Sequence, residues 1–195
     1  MHLTPLQIET FERDGYLFFP NHFQPGEIKV LADEVPRLYA QRRPENVREK
    51  GSDSVRTNFA AHLYSYPFAK LARHPRMVEP VMQLFGESVY MHQFKINGKA
   101  AFDGDVWQWH QDYGTWKNDD DMPEPRAMNV AIFLDEVNEF NGPLMFIPGS
   151  HQLGMSRPDT TPPPPVIRCG RSTTRRSEGS STAAASSRPR GRRGR

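Results

Sequence analysis

Residues 88–99 read SVYMHQFKINGK, and they alternate. Tyr90, His92, Phe94 and Ile96 fall to one side of an extended chain, and Met91, Gln93, Lys95 and Asn97 to the other. A strand is expected here, and it marks where the period of the chain changes. Before it, apolar residues recur at helical spacing. Thr4 suits an N-cap and Pro5 a first turn, with Leu6, Ile8 and Phe11 as the apolar positions and Gly15 as the stop. Pro25-Gly26-Glu27 opens a second helix with Ile28, Leu31, Val35 and Leu38 on one face and Pro36 as an expected kink. Shorter helical patterns cover 67–71 and 77–84, closed by Gly86. Residues 16–19 read as a short apolar strand, and 43–55 as a charged loop. After the alternating stretch come three further strand candidates: 106–110, 127–134 (AMNVAIFL, read as buried) and 143–147, which runs into the turn Pro148-Gly149-Ser150. Helices first and strands later, without βαβ alternation, argue an α+β fold with an antiparallel sheet.

The formal charge of +2 averages two unlike polymers. Residues 1–156 hold 15 Lys and Arg against 21 Asp and Glu, whereas 157–195 hold 10 Arg, no Lys and only two acids, Asp159 and Glu178. Every Phe, Trp and Tyr lies in the first part. The second part, with its proline run and Ser/Thr/Ala/Gly filler, cannot bury enough apolar surface to offset ordering entropy, and a disordered Arg/Ser/Pro-rich tail is expected from 157. Such a tail could meet nucleic acid through phosphates but offers no aromatic ring to a base. No apolar run is long enough to span a membrane. The first 15 residues carry acids where a signal peptide would be apolar, and the single cysteine cannot form an internal disulfide, so a cytoplasmic location is the expectation.

Polar chemistry is densest in 107–116, WQWHQDYGTW. His110 and Asp112 are two apart, so an extended chain would point both to one face. An imidazole and a carboxylate there can offer two ligands to one divalent metal, and a 2-His-1-carboxylate set suits Fe(II) with positions left open. The spacing by itself is more often a surface His beside a solvated Asp. Trp107, Trp109 and Trp116 surround the pair and are the only three Trp of the chain, which favours a dry, shaped pocket over an exposed loop.

HQFKINGKAAFDGDVWQWHQDYGTW, followed by DDDMPEPRAMNVAIFLDEVNEFNGPLMFIPGSHQLG, resembles the phytanoyl-CoA dioxygenase family, and within it the ectoine-hydroxylase-like bacterial branch. The resemblance covers residues 1–156 and is strongest from 88 to 154. It implies a double-stranded β-helix (a cupin-like jelly roll) with N-terminal helices. It also implies Fe(II), 2-oxoglutarate and O2, and hydroxylation of an unactivated C–H bond of a small organic substrate with release of succinate and CO2. By this resemblance His110 and Asp112 are iron ligands and the catalytic centre. Lys95 and Asn97 lie near 2-oxoglutarate, where a cation and an amide can bind carboxylates. Asn129 is a further cofactor candidate. Gln93 reaches toward the substrate, and Trp116 matches an aromatic that packs over it.

The chain departs from the ectoine hydroxylase pattern. Gln111 stands where that pattern has Ser, Tyr113-Gly114 where it has Phe-Glu, and Lys117 where it has His. A different substrate pocket is expected. The family's third iron ligand is a His roughly a hundred residues after the His-x-Asp pair, with an Arg about ten residues beyond it for the far carboxylate of 2-oxoglutarate. Both would fall past residue 195, and His151, the one later His, sits in the PGSH turn. The jelly roll is therefore expected to be C-terminally incomplete and the activity of these 195 residues impaired. The family-like sequence stops where the Lys-free, Arg-rich composition starts, which leads to the expectation that 157–195 is an out-of-frame reading of a GC-rich gene. The alternatives are a non-catalytic family remnant whose basic tail binds nucleic acid or an acidic partner, and a metal-free cupin scaffold.

Overall fold

A computed structural model describes residues 1–100, 108–154 and 167–168. Its first helix, α1 (Pro5–Asp14), forms as its signals predict. The Thr4 hydroxyl accepts from the Gln7 N–H, the Gln7 side chain accepts from the Thr4 N–H, and Gly15 closes the helix at φ +82°. Residues 16–19 form no strand, a departure from the expected one. Helix α2 (Pro25–Tyr39) runs through Pro36 and buries Leu31 and Leu38. Helices α3 (Tyr66–Ala72) and α4 (Pro75–Phe85) follow a 3-10 turn at Ala61–Leu63, and Gly86 ends α4 at φ +68°.

The first sheet is antiparallel and three-stranded, in the order β1 (Asn46–Arg48), β2 (Val55–Phe59), β3 (Lys95–Asn97). Strand β1 and the turn into β2 overturn the loop reading of 43–55. The strand period was hidden because the inward residues are polar. Asn46, Glu49, Thr57 and Asn58 are all buried, and hydrogen bonds replace apolar contact. Asn58 donates to Asn46 Oδ1 (2.6 Å) and to the Tyr64 hydroxyl (2.8 Å), and Asn46 donates to the carbonyls of Leu38 (2.8 Å) and Gln41 (2.7 Å). This network joins the end of α2 to both strands.

Only Lys95–Asn97 of the alternating stretch is laddered, opposite Phe59, Asn58 and Thr57, and within it the expected alternation holds: Ile96 is buried while Lys95 and Asn97 are exposed. Helix α5 (Asp112–Asp119) follows, and β4 (Met145–Phe146) pairs with β5 (Ile167–Arg168) before and after a 3-10 turn at Ser150–Leu153. Strand β5 falls inside the segment read as a tail; the rest of 157–195 lies outside the described residues, as does Trp107 with 101–106. The run 127–134 forms no strand and is not fully buried, because no ladder partner lies beside it among the described residues. Leu31, Leu38, Ala61, Phe68 and Ile96 form the core between α2, α3 and β3, with Val35, Tyr39, Phe94 and Leu134 packed around them. The Tyr39 hydroxyl reaches the Ile96 carbonyl at 3.4 Å, and burial, reinforced by Asp135, pushes its pKa up to about 12.

The chain is thus α+β, with a small antiparallel sheet backed by helices. No helix among the described residues is long and apolar enough to cross a membrane.

Candidate metal centre

Residues 108–110 carry no regular secondary structure, Gln111 (φ −109°, ψ 124°) is the extended N-cap of α5, and Asp112 is its first residue. An acid in the first turn complements the helix dipole. The chain is not extended through both His110 and Asp112: the pair meets across a coil-to-helix junction. His110 Nε2 lies 3.0 Å from Asp112 Oδ1. His110 Nδ1 lies 2.7 Å from the Gln108 carbonyl. A carbonyl only accepts, so Nδ1 carries the hydrogen, and in the neutral ring Nε2 turns its lone pair on the carboxylate. Two lone pairs converging at 3.0 Å require a proton or a cation between them. Adjacent ligand atoms of an octahedral dication with bonds of ~2.1 Å stand about 3 Å apart, so the pair fits a metal of that size. The Asn129 side chain donates from Nδ2 to the other oxygen, Asp112 Oδ2.

The side chains of His110 and Asp112 are 52% and 39% exposed, and Trp109 is 46% exposed. The junction is therefore open to solvent among the described residues, in place of the dry pocket expected from its tryptophans. Trp116 stands one turn after Asp112 on α5 and is half-buried. The His92 ring meets it edge-on at 5.6 Å, and His92 Nε2 lies 3.0 Å from Asp120 Oδ2. The His92–Asp120 contact went unseen in the sequence, because one carboxylate in a run of three (Asp119–Asp121) carries no distinguishing signal.

Lys95 and Asn97 share the exposed face of β3. Lys95 Nζ is 5.6 Å from the Phe59 ring centroid, and the Thr57 hydroxyl donates to Asn97 Oδ1 at 3.1 Å, which orients the amide. Gln93 is exposed, just before the ladder begins. The structure thus brings His110, Asp112 and Asn129 into contact, and separately sets Lys95 beside Asn97.

No cluster of three or more His, Cys, Asp or Glu able to hold a metal occurs among the described residues. His151 is engaged elsewhere. Its Nε2 donates to the Glu12 carbonyl at the end of α1 (3.0 Å), beside Gln152, which donates to the same oxygen (2.8 Å). The Gly149 N–H donates to the Asp14 carbonyl (2.9 Å). The Gln111 side chain donates to the Gly154 carbonyl at 2.9 Å, so one turn braces both the metal-ligand junction and α1. His74 caps α4, and His22 lies against the Arg76 carbonyl.

The phytanoyl-CoA dioxygenase family model matches residues 11–176, past the composition change at 156. The ectoine dioxygenase of Bordetella bronchiseptica is 39% identical over 160 residues, which are 80% of this chain and 52% of that protein. The L-proline trans-4-hydroxylase of Streptomyces griseoviridis is 41% identical over 145 residues, 74% of this chain and 54% of that protein. A crystal structure of EctD from S. alaskensis with 2-oxoglutarate and 5-hydroxyectoine superposes with a TM-score of 0.73 at 35% identity, covering 76% of this chain and 54% of that one; another, with bound Fe, gives 0.72. The chain spans about half the length of the curated relatives it matches. On the family match and these identities, the chain belongs to the phytanoyl-CoA dioxygenase family, in its ectoine-hydroxylase-like branch.

Proposed function

We propose that this chain is part of an Fe(II)- and 2-oxoglutarate-dependent dioxygenase that hydroxylates a C–H bond of a small organic substrate, and that residues 1–156 contribute to a jelly-roll domain. The observation that carries the reading is the 3.0 Å approach of His110 Nε2 to Asp112 Oδ1, with the far atom of each side chain tied down. Relatives named as dioxygenase and hydroxylase, and a relative's structure with bound Fe, support it. When bound, iron with 2-oxoglutarate would activate O2: 2-oxoglutarate gives up two electrons and is split to succinate and CO2, with one oxygen atom entering succinate and the other the hydroxylated product.

The chain's own residues bind and orient. His110 and Asp112 hold the ion through Nε2 and Oδ1. The Lys95 ammonium and the Asn97 amide, held by Thr57, suit the carboxylates of 2-oxoglutarate. Trp116 and Gln93 face the substrate. Gln111, Tyr113-Gly114 and Lys117 differ from the ectoine hydroxylase pattern, so ectoine is not assigned. Two protein ligands hold a dication weakly, and slow turnover is expected of the 195 residues. The test is succinate formation with Fe(II), 2-oxoglutarate and a panel of small polar substrates. Slow, substrate-stimulated turnover lost in His110→Ala supports the reading. Succinate formation indifferent to both His110→Ala and Asp112→Ala refutes it.

A further inference from the structure

Asn129 first reads as a cofactor residue, yet its Nδ2 donates to Asp112 Oδ2, the carboxylate oxygen turned away from His110. The two candidate ligands are thereby treated alike. His110 has Nδ1 engaged by the Gln108 carbonyl, which commits Nε2 to the site. Asp112 has Oδ2 engaged by Asn129, which commits Oδ1 to the site, 3.0 Å from Nε2. Asn129 reaches across 17 residues of chain to do this, from an irregular segment outside α5.

We propose that Asn129 is a positioning residue for the metal carboxylate, acting through Asp112 and not as a ligand of 2-oxoglutarate. The inference rests on the reading of His110 and Asp112 as metal ligands. The chemistry favours an amide in this place. An exposed carboxylate can rotate and present either oxygen or both. A neutral donor on one oxygen stops that rotation without cancelling the negative charge that attracts the ion, as an Arg or Lys partner would. An amide also stays a donor at any pH. Partners of this kind are worth about 10–100-fold in metal affinity.

The experiment is a Co(II) titration of the full chain without 2-oxoglutarate, read by visible absorption, for the unaltered protein, His110→Ala, Asn129→Ala and Asn129→Leu. Unaltered protein should bind Co(II), and His110→Ala should not. Both Asn129 variants should bind about 10–100-fold more weakly, with unfolding midpoints unchanged. The Leu variant keeps much of the side-chain volume, removes the donor and adds no charge. The proposal is overturned if both variants bind Co(II) like the unaltered protein, above all if the loss appears instead in 2-oxoglutarate affinity at saturating Co(II). It is also overturned if the weakening tracks a lowered unfolding midpoint in both variants. Failure of the unaltered protein to bind Co(II) at all refutes the metal reading itself, which separates the two failures.

Discussion

Replacing Asn58 by alanine strikes the support of the strand that carries Lys95 and Asn97. Asn58 is fully buried on β2 and sits opposite Ile96, between those two residues in the register. Both its amide hydrogens are used, one on Asn46 Oδ1 at 2.6 Å and one on the Tyr64 hydroxyl at 2.8 Å. Tyr64 keeps a partner in the variant, since its hydroxyl also donates to the Phe59 carbonyl at 2.7 Å. Asn46 Oδ1 loses its donor inside the fold, where an unpaired acceptor costs ~1–3 kcal/mol, and the Tyr64 bond adds about 1. The expected loss is about 2–4 kcal/mol. With a urea slope of ~2 kcal/mol/M the unfolding midpoint should drop by ~1–2 M. Asn58→Asp separates donor loss from volume loss: it retains the size but sets a carboxylate against Asn46 Oδ1, so it should be at least as damaging as alanine. A midpoint shift under ~0.3 M for Asn58→Ala, or an Asp variant milder than the Ala variant, would refute the donor bookkeeping.

Two further outcomes follow from single positions. A Cβ at Gly98 would lie 2.6 Å from the Val55 carbonyl and 3.2 Å from the Tyr39 hydroxyl, so Gly98→Ala must push β3 off β2; a loss of ~1–3 kcal/mol in urea unfolding is expected, with weaker 2-oxoglutarate binding if Lys95 and Asn97 move with it. Burial against Phe94 lowers the pKa of His62 below its ordinary 6.5, and its Nδ1 meets no hydrogen-bond partner among the described residues. Its contribution to stability is therefore whole above pH 6.5 and is lost as pH falls toward the depressed folded value, because the unfolded chain takes up the proton first. Thermal unfolding at pH 7.5 and 5.5 should show a drop that shrinks in His62→Phe.

The first four helices were legible because their ends or faces carry local signals, Thr4, Pro5, Gly15, Pro25 and Gly86 among them; α5 was not, because its start at Asp112 falls in a stretch that reads as polar chemistry. The β1–β2 hairpin was not, since its buried Asn46 and Asn58 bond to each other and its buried Thr57 to Asn97, and a hydropathy pattern records only apolar burial. Residues 88–94 and 127–134 show the converse. They have strand-like composition, but a strand exists only where another backbone meets it, and composition does not report the partner. At the centre, His-x-Asp was visible as a spacing, though the spacing acts through the helix start at Asp112 and not through an extended chain. Asn129 on Asp112 and His92 beside Trp116 are long-range contacts that no local pattern encodes.

The turn that seats Gly149, His151 and Gln152 on the end of α1 has a kinetic consequence. The carbonyls of Glu12 and Asp14 find their donors up to 140 residues away. Closing a loop of that length costs ~2 kcal/mol more entropy than closing one of about ten residues. The final turn of α1 therefore has to wait, frayed, until most of the chain between has condensed. Substitutions at Gln152 should leave the refolding rate nearly unchanged and speed unfolding. Hydrogen exchange near Gly15 should report the earliest opening of the native state, well before the amides of β2 are exposed.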